Sequence, residues 1–235
     1  MISAGMSNNS SSGSYVSSRR ILPLTLALVL GAASSSSAAI INTLFSISVI
    51  GAPPSVQEDA LQSDDTLVVF PELQDFVLTS DLRVNVTDPG DYGCGCILPF
   101  PVPRIAAGTE VDSYLVHADP VTRGIGYLGV LTFDSDILGV MFGGMLLGES
   151  DPILGAPGTL YPTDPANRGL AIVAGQDFIS ISPDRRSILM AFITRRNYDQ
   201  MRIVTAAQAP EPLTFVLLGG GLAMVAIRRR RLQRY

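Results

Sequence analysis

Short apolar runs alternate with turn-forming clusters over most of the chain, and that rhythm predicts a β protein. Residues 66–70 are β-branched and apolar, and within 76–86 Leu82, Val84 and Val86 alternate with Arg83 and Asn85 as on a half-buried strand. Further strands are expected at 111–117, 127–133, 137–142, 170–173, 178–182, 187–194 and 201–205. Between them stand Asp88-Pro89-Gly90-Asp91, Asp119-Pro120, Asp151-Pro152, the 162–165 stretch and Ser182-Pro183-Asp184, all turn chemistry. Pro183-Asp184 in particular predicts a hairpin turn. Residues 138–147 could form a short helix, but their glycines favour a strand. The expected fold class is therefore mainly β, an antiparallel β-sandwich or jelly-roll body.

Two apolar runs do not fit this rhythm, and both lie at the ends. Near the N-terminus a serine-rich stretch leads to Arg19-Arg20 and the apolar run 21–30, followed by Gly31-Ala32-Ala33 and Ser37-Ala38-Ala39. Charged flank, apolar core and small residues in that order predict a secretory signal peptide over 1–39. A cut after Ala39 places Ser37 and Ala39 at the −3 and −1 positions; Ala33 offers a second site. The competing reading is a permanent anchor running on to Ile50, interrupted by the serine run 34–37 where a cleavage site belongs. The arginine pair faintly resembles a twin-arginine signal, and the general secretory route is the default.

At the other end Pro210-Glu211-Pro212 precedes an apolar run of 13 residues, 215–227, and then Arg228, Arg229, Arg230 and Arg231. A helix of that length reaches about 20 Å, short of the roughly 30 Å hydrocarbon core. It suits a marginal transmembrane helix whose flanking arginines snorkel, through Phe215, Leu217, Leu218, Leu222, Val225 and Ile227. Four arginines need an exposed end and argue against a buried core helix, and they mark the cytoplasmic side. The prolines keep the preceding segment out of the helix.

Composition sharpens the picture. The 235 residues are 47% hydrophobic and only 16% charged, with a mean hydropathy of +0.34, which excludes a disordered solvating chain. All 16 basic residues are arginine, which removes P-loop and Schiff-base lysine chemistry. Setting aside Arg19-Arg20 and the five C-terminal arginines leaves nine arginines against all 21 acidic residues, a body of −12. Nucleic acid needs a basic face, so it is not an expected partner.

The C-terminal order of Pro-Glu-Pro, short apolar helix and arginine cluster resembles the PEP-CTERM sorting signal of Gram-negative bacteria, over 209–235. The resemblance implies export through the secretion machinery, transient retention in the inner membrane and processing by an exosortase. It also implies delivery to the cell surface or extracellular space, in association with exopolysaccharide and biofilm matrix. Residue by residue, Pro210, Glu211 and Pro212 become the sorting motif, 215–227 the membrane segment and Arg228 to Arg231 the stop-transfer cluster. The 111–205 region, with Asp112-Ser113-Tyr114-Leu115-Val116-His117, Thr132-Phe133-Asp134 and Asp199-Gln200-Met201-Arg202-Ile203-Val204-Thr205, also resembles the globular part of other PEP-CTERM proteins, which carries no assigned activity.

Catalytic motifs in the body are sparse. Gly124-Ile125-Gly126-Tyr127-Leu128-Gly129 fits G-x-G-x-x-G, but a strand-like segment follows where a dinucleotide site needs a helix. His117 is the one histidine, no serine sits in a nucleophile elbow, and a structural role is expected for it. Asp134 with Asp136, and Glu149 with Asp151, would share a strand face and could take Ca²⁺, although solvated turn acids are the commoner case. No cofactor or metal is expected. Paired-carboxylate sugar hydrolysis remains an alternative without an assignable pair. Cys94-Gly95-Cys96 reads, in order, as a strained local disulfide, intermolecular bridges, free thiols and, last, a metal site. The expected organisation is signal peptide 1–39, linker 40–65, β body 66–208 and sorting signal 209–235. The body is expected to be non-enzymatic, with a binding or structural role. The alternatives are a glycan-binding surface module and a polysaccharide-acting enzyme.

Overall fold

The computed structural model describes residues 39–93, 99–122, 124–172, 176–194 and 198–208. The signal peptide, the Cys94/Cys96 pair and the whole sorting signal lie outside the described residues. No helix among the described residues is long and apolar enough to cross a membrane.

The described chain is mainly β, built of antiparallel sheets. One five-stranded sheet contains, in spatial order, β1 (Ile40–Phe45), β9 (Ile125–Phe133), β12 (Ser187–Thr194), β11 (Phe178–Ile181) and β6 (Gly90–Tyr92). The second runs β10 (Ile137–Met141), β13 (Asp199–Ala206), β8 (Glu110–Ala118), β3 (Leu67–Pro71) and β2 (Ile47–Val49), with β4 (Phe76–Val77) also on β8. Among the described strands only β2 and β3 pair in parallel; β5 (Leu82–Arg83) and β7 (Arg104–Ile105) form a separate antiparallel pair.

Inner faces of both large sheets meet in one core. Leu131, Phe133, Ile188, Met190 and Phe192 of the first pack with Val69, Val116, Met201 and Ile203 of the second. The second sheet is covered on its other face as well, where Phe70, Leu115 and Val204 meet Leu146, Leu147 and Leu154 of a helix. This double burial explains the pattern of β3, β8 and β13. Their residues are buried in nearly unbroken runs because both faces are inside, so β3 reads as wholly apolar while β8 and β13 also bury polar side chains, whereas β9 and β12 alternate because only one face is buried.

The strand expected over 137–142 is present as β10, and the covering helix, α1 (Gly144–Leu154), starts after it, overlapping only the end of the 138–147 run whose glycines argued against a helix. Gly139 falls in β10 and Gly143 before the helix, so of these glycines only Gly144 enters it, joined by Gly148, at about 1 kcal/mol each. Asp151-Pro152, expected as a turn, lies inside the last turns of α1, where the proline costs about 3 kcal/mol. Burying Leu146, Leu147 and Leu154 offsets this at roughly 1.5–3 kcal/mol apiece. Asn85 fixes the entry, its Oδ1 accepting from the Phe142 and Gly143 N–H groups at 2.8 Å each.

Three other expectations need correction. Segment 40–65, read as a linker, holds β1 and β2, one edge strand of each sheet. The 76–86 run is broken into β4 and β5, with Leu78 between them buried. Residues 170–172 form no strand, although Ile172 enters the core. The Ser182-Pro183-Asp184 turn joins β11 to β12 as expected, closed by Arg185 N–H donating to the Ser182 carbonyl at 2.9 Å.

Candidate functional site

Under α1 the outer face of the second sheet carries a chain of buried polar side chains. Register explains it: on β8 and β13, His117 lies opposite Gln200, Leu115 opposite Arg202 and Ser113 opposite Val204, all on the helix side. Arg202 is fully buried, and all its donors are used. Its Nε donates to Glu72 Oε2 at 2.6 Å, and its Nη2 to Glu72 Oε1 at 2.7 Å and Asp151 Oδ1 at 2.9 Å. Its Nη1 donates to Ser150 Oγ and, at 3.4 Å, to the Leu147 carbonyl. Glu72, just after β3, also accepts from Ser113 Oγ at 2.6 Å and the Tyr161 hydroxyl at 2.7 Å.

Asp151 on α1 links this centre to a second arginine, since Arg168 Nη2 reaches its Oδ1 at 2.9 Å and Nη1 its Oδ2. Arg168 Nε donates to Gln200 Oε1 at 2.6 Å, and Gln200 Nε2 to the Val56 carbonyl at 2.8 Å and His117 Nδ1 at 2.9 Å. With Nδ1 accepting, the His117 proton sits on Nε2, which faces Asp119 Oδ2 at 3.7 Å. Both guanidiniums also lie over the Tyr161 ring, 5.8 and 5.7 Å from its centroid.

Two arginines and two carboxylates balance, so the cluster has no net charge to offer a ligand. Burial alone would lower the Arg202 pKa, but Glu72 and then Asp151 outweigh it and hold the guanidinium above its ordinary value. Burial, then the charge of Glu72, pushes the Tyr161 hydroxyl well up, so it stays protonated and donates. The cluster's work is positional: it pins α1 and the loop carrying Tyr161 and Arg168 to the sheet.

Pinned this way, helix and loop enclose a cleft of about 710 Å³. Asp151 and Arg168 line it with Tyr161, Pro162 and Pro165, and on the helix side Gly144 and Gly148, one turn apart, present no side chain. The two glycines differ in kind. A Cβ on Gly144 would stand 2.0 Å from the Pro165 carbonyl oxygen, so close approach demands glycine there; a Cβ on Gly148 would meet nothing within 4 Å. The volume lies within the range of small-ligand sites.

A smaller cleft of about 340 Å³ is lined by Asp177 and Asp199 among others. Asp177 accepts from the Ala171 and Ile193 N–H groups at 2.5 and 2.9 Å, yet burial raises its carboxyl above the usual range. Asp199 is pushed up to about 8, first by burial and then by the charge of Asp177. It is therefore protonated at neutral pH.

Neither carboxylate pair singled out in the sequence lies on a strand. Asp134 and Asp136 lie around the turn between β9 and β10, the first accepting from Ala39 N–H at 2.8 Å and the second 3.6 Å from Arg186. Glu149 and Asp151 are on α1, not a strand, where a two-residue step turns side chains apart; Glu149 pairs with exposed Arg83 at 3.2 Å while Asp151 points inward. No group of three or more potential metal ligands occurs among the described residues. The G-x-G-x-x-G run leads into β9, with no helix terminus for a pyrophosphate. His117 is wholly buried in the polar chain.

Sequence reading missed the Glu72–Arg202–Asp151–Arg168 cluster. One signal was present, an arginine in the middle of the apolar run Met201-Arg202-Ile203-Val204. Nothing in the spacing of Asp177 and Asp199 marks them as neighbours. No family model, curated protein or solved structure matches the chain.

Proposed function

We propose that this chain is an exported surface or matrix protein, sorted through a C-terminal signal of the PEP-CTERM type and processed by an exosortase. The observation that carries the reading is the order Pro210-Glu211-Pro212, apolar run 215–227, Arg228 to Arg231. The arginines hold the chain end in the cytoplasm, and the short helix retains the protein in the inner membrane only marginally. That leaves the Pro-Glu-Pro segment at the outer surface, extended because neither proline can continue a helix interior. The described body suits such an arrangement. Its first strand starts at Ile40, next to the expected signal cleavage, and its last ends at Ala206, four residues before Pro210.

The body in this reading is an antiparallel sandwich, supported by the core its two sheets share. Its role is binding or structural, in an exopolysaccharide matrix, with no catalytic step and no cofactor. A glycan-binding module is the second reading, favoured by the 710 Å³ cleft with its proline and tyrosine walls and an arginine–carboxylate pair. The sorting reading is tested by deleting Pro210 to Pro212. Deletion should leave full-length protein in the inner membrane, as should loss of the exosortase; unchanged release would overturn it. A glycan array with wild type and Gly148→Leu, which fills the cleft, tests the second reading, and binding indifferent to the substitution would remove it.

A further inference from the structure

The start of β1 is held by a reciprocal pair of bonds to one residue. Ala39 N–H donates to Asp134 Oδ1 at 2.8 Å, and Asp134 N–H donates back to the Ala39 carbonyl at 3.2 Å. Ile40 then takes up its register opposite Phe133. The neighbouring acid Asp136 has Arg186 at 3.6 Å; Asp134 has no side-chain cation within ion-pair distance among the described residues. A half-buried carboxylate is thus aimed at one backbone nitrogen.

We infer that export processing cuts the bond between Ala38 and Ala39, and that the new α-ammonium of Ala39 is seated on the Asp134 carboxylate. The inference rests on the export reading above. Ser36 and Ala38 then occupy the −3 and −1 positions and satisfy the small-residue requirement as well as Ser37 and Ala39 do. The step is a hydrolysis by the membrane signal peptidase of the secretion route. One water is consumed, the Ala38–Ala39 C–N bond breaks, hydroxide adds to the Ala38 carbonyl carbon, and the nitrogen takes the water's other proton and the one the new carboxyl releases, leaving a carboxylate and an ammonium.

Geometry separates this cut from its competitors. A cut after Ala39 would remove the carbonyl that accepts from Asp134 N–H and discard the nitrogen on its carboxylate. A cut after Ala33 leaves that nitrogen an uncharged amide. Only a chain beginning at Ala39 turns the existing contact into a charge-assisted bond, which is roughly twice as strong as a neutral one. The mature N-terminus then closes the edge strand of the first sheet instead of trailing from it.

The test uses protein recovered from the cell surface or medium, in wild-type and Asp134→Asn forms. Asparagine keeps the acceptor oxygen and removes the charge. N-terminal sequencing should begin at Ala39 in both. Titration of the α-amine by pH-dependent acylation should give a pKa raised above the ordinary range of about 7.7–8.0 in wild type and returned to it in Asp134→Asn. A first residue of Ile40 or Ser34 would overturn this inference and leave export standing. An Ala39 terminus whose amine titrates alike in both forms would overturn the ion pair, and Met1 or Ser7 peptides on released protein would overturn the export reading itself.

Discussion

Removing one member of the buried charge cluster should cost far more than removing two. Arg202→Met strips Glu72 of its cation and leaves that carboxylate inside with only Ser113 Oγ and the Tyr161 hydroxyl. A buried charge orphaned in this way costs about 3–5 kcal/mol, a large part of a domain stability of roughly 5–15 kcal/mol. Glu72→Leu does the converse. It leaves two arginines against Asp151 and takes the acceptor from Ser113 and Tyr161, again about 3–5 kcal/mol. In Arg202→Met with Glu72→Leu both charges go, while Arg168 and Asp151 keep their paired bonds. The residual cost is the unpaired Ser113 hydroxyl and a weakened Tyr161, about 1–3 kcal/mol. The coupling is then roughly 3 kcal/mol or more in favour of the double variant. Urea unfolding followed by tyrosine fluorescence serves as the assay, since the chain has seven tyrosines and no tryptophan. A double variant less stable than either single, with costs that simply add, would refute the claim that the cluster acts as one charge-balanced unit.

Other substitutions check separate parts of the account. Gly144→Ala should unfold the helix start because its Cβ would lie 2.0 Å from the Pro165 carbonyl oxygen, whereas Gly148→Ala should gain up to about 1 kcal/mol; thermal melts of both decide it. Asp199, neutral in the folded state up to about pH 8 and ionised above about 4 when unfolded, makes stability fall as pH rises through that window. Asp199→Asn should remove that slope, and its advantage over wild type should grow from pH 5 to pH 8.5 in urea titrations; parallel curves would contradict it. Cys94→Ser with Cys96→Ser should shift Tm by no more than a few degrees if the pair closes only its own small loop. A body starting at Ala52 instead of Ala39 should melt earlier or aggregate, because it lacks β1 and β2.

Strand positions were legible wherever one physical rule acted alone. Along β9 and β12 a single buried face imposes alternation, and the Pro183-Asp184 turn announces its hairpin. The helix was obscured because Gly139 and Gly143, which precede it, look in sequence like part of it. Residues 40–49 sit beside an expected cleavage site, which drew the reading away from their apolar content, yet they supply an edge strand to each sheet. The polar cluster joins Glu72, Asp151, Arg168 and Arg202, whose sequence separations reach 130 residues, so only the fold brings them together. Its one local sign, a charged residue inside a strand buried on both faces, points to a partner without naming it.

The export account meets its most direct test in mass spectrometry of C-terminal peptides from the inner-membrane and extracellular fractions of an exosortase-competent cell. The account predicts that the membrane fraction contains chains ending at Tyr235, and that extracellular chains lack everything from Phe215 onward. Extracellular protein that still carries the intact Leu232 to Tyr235 end would contradict it.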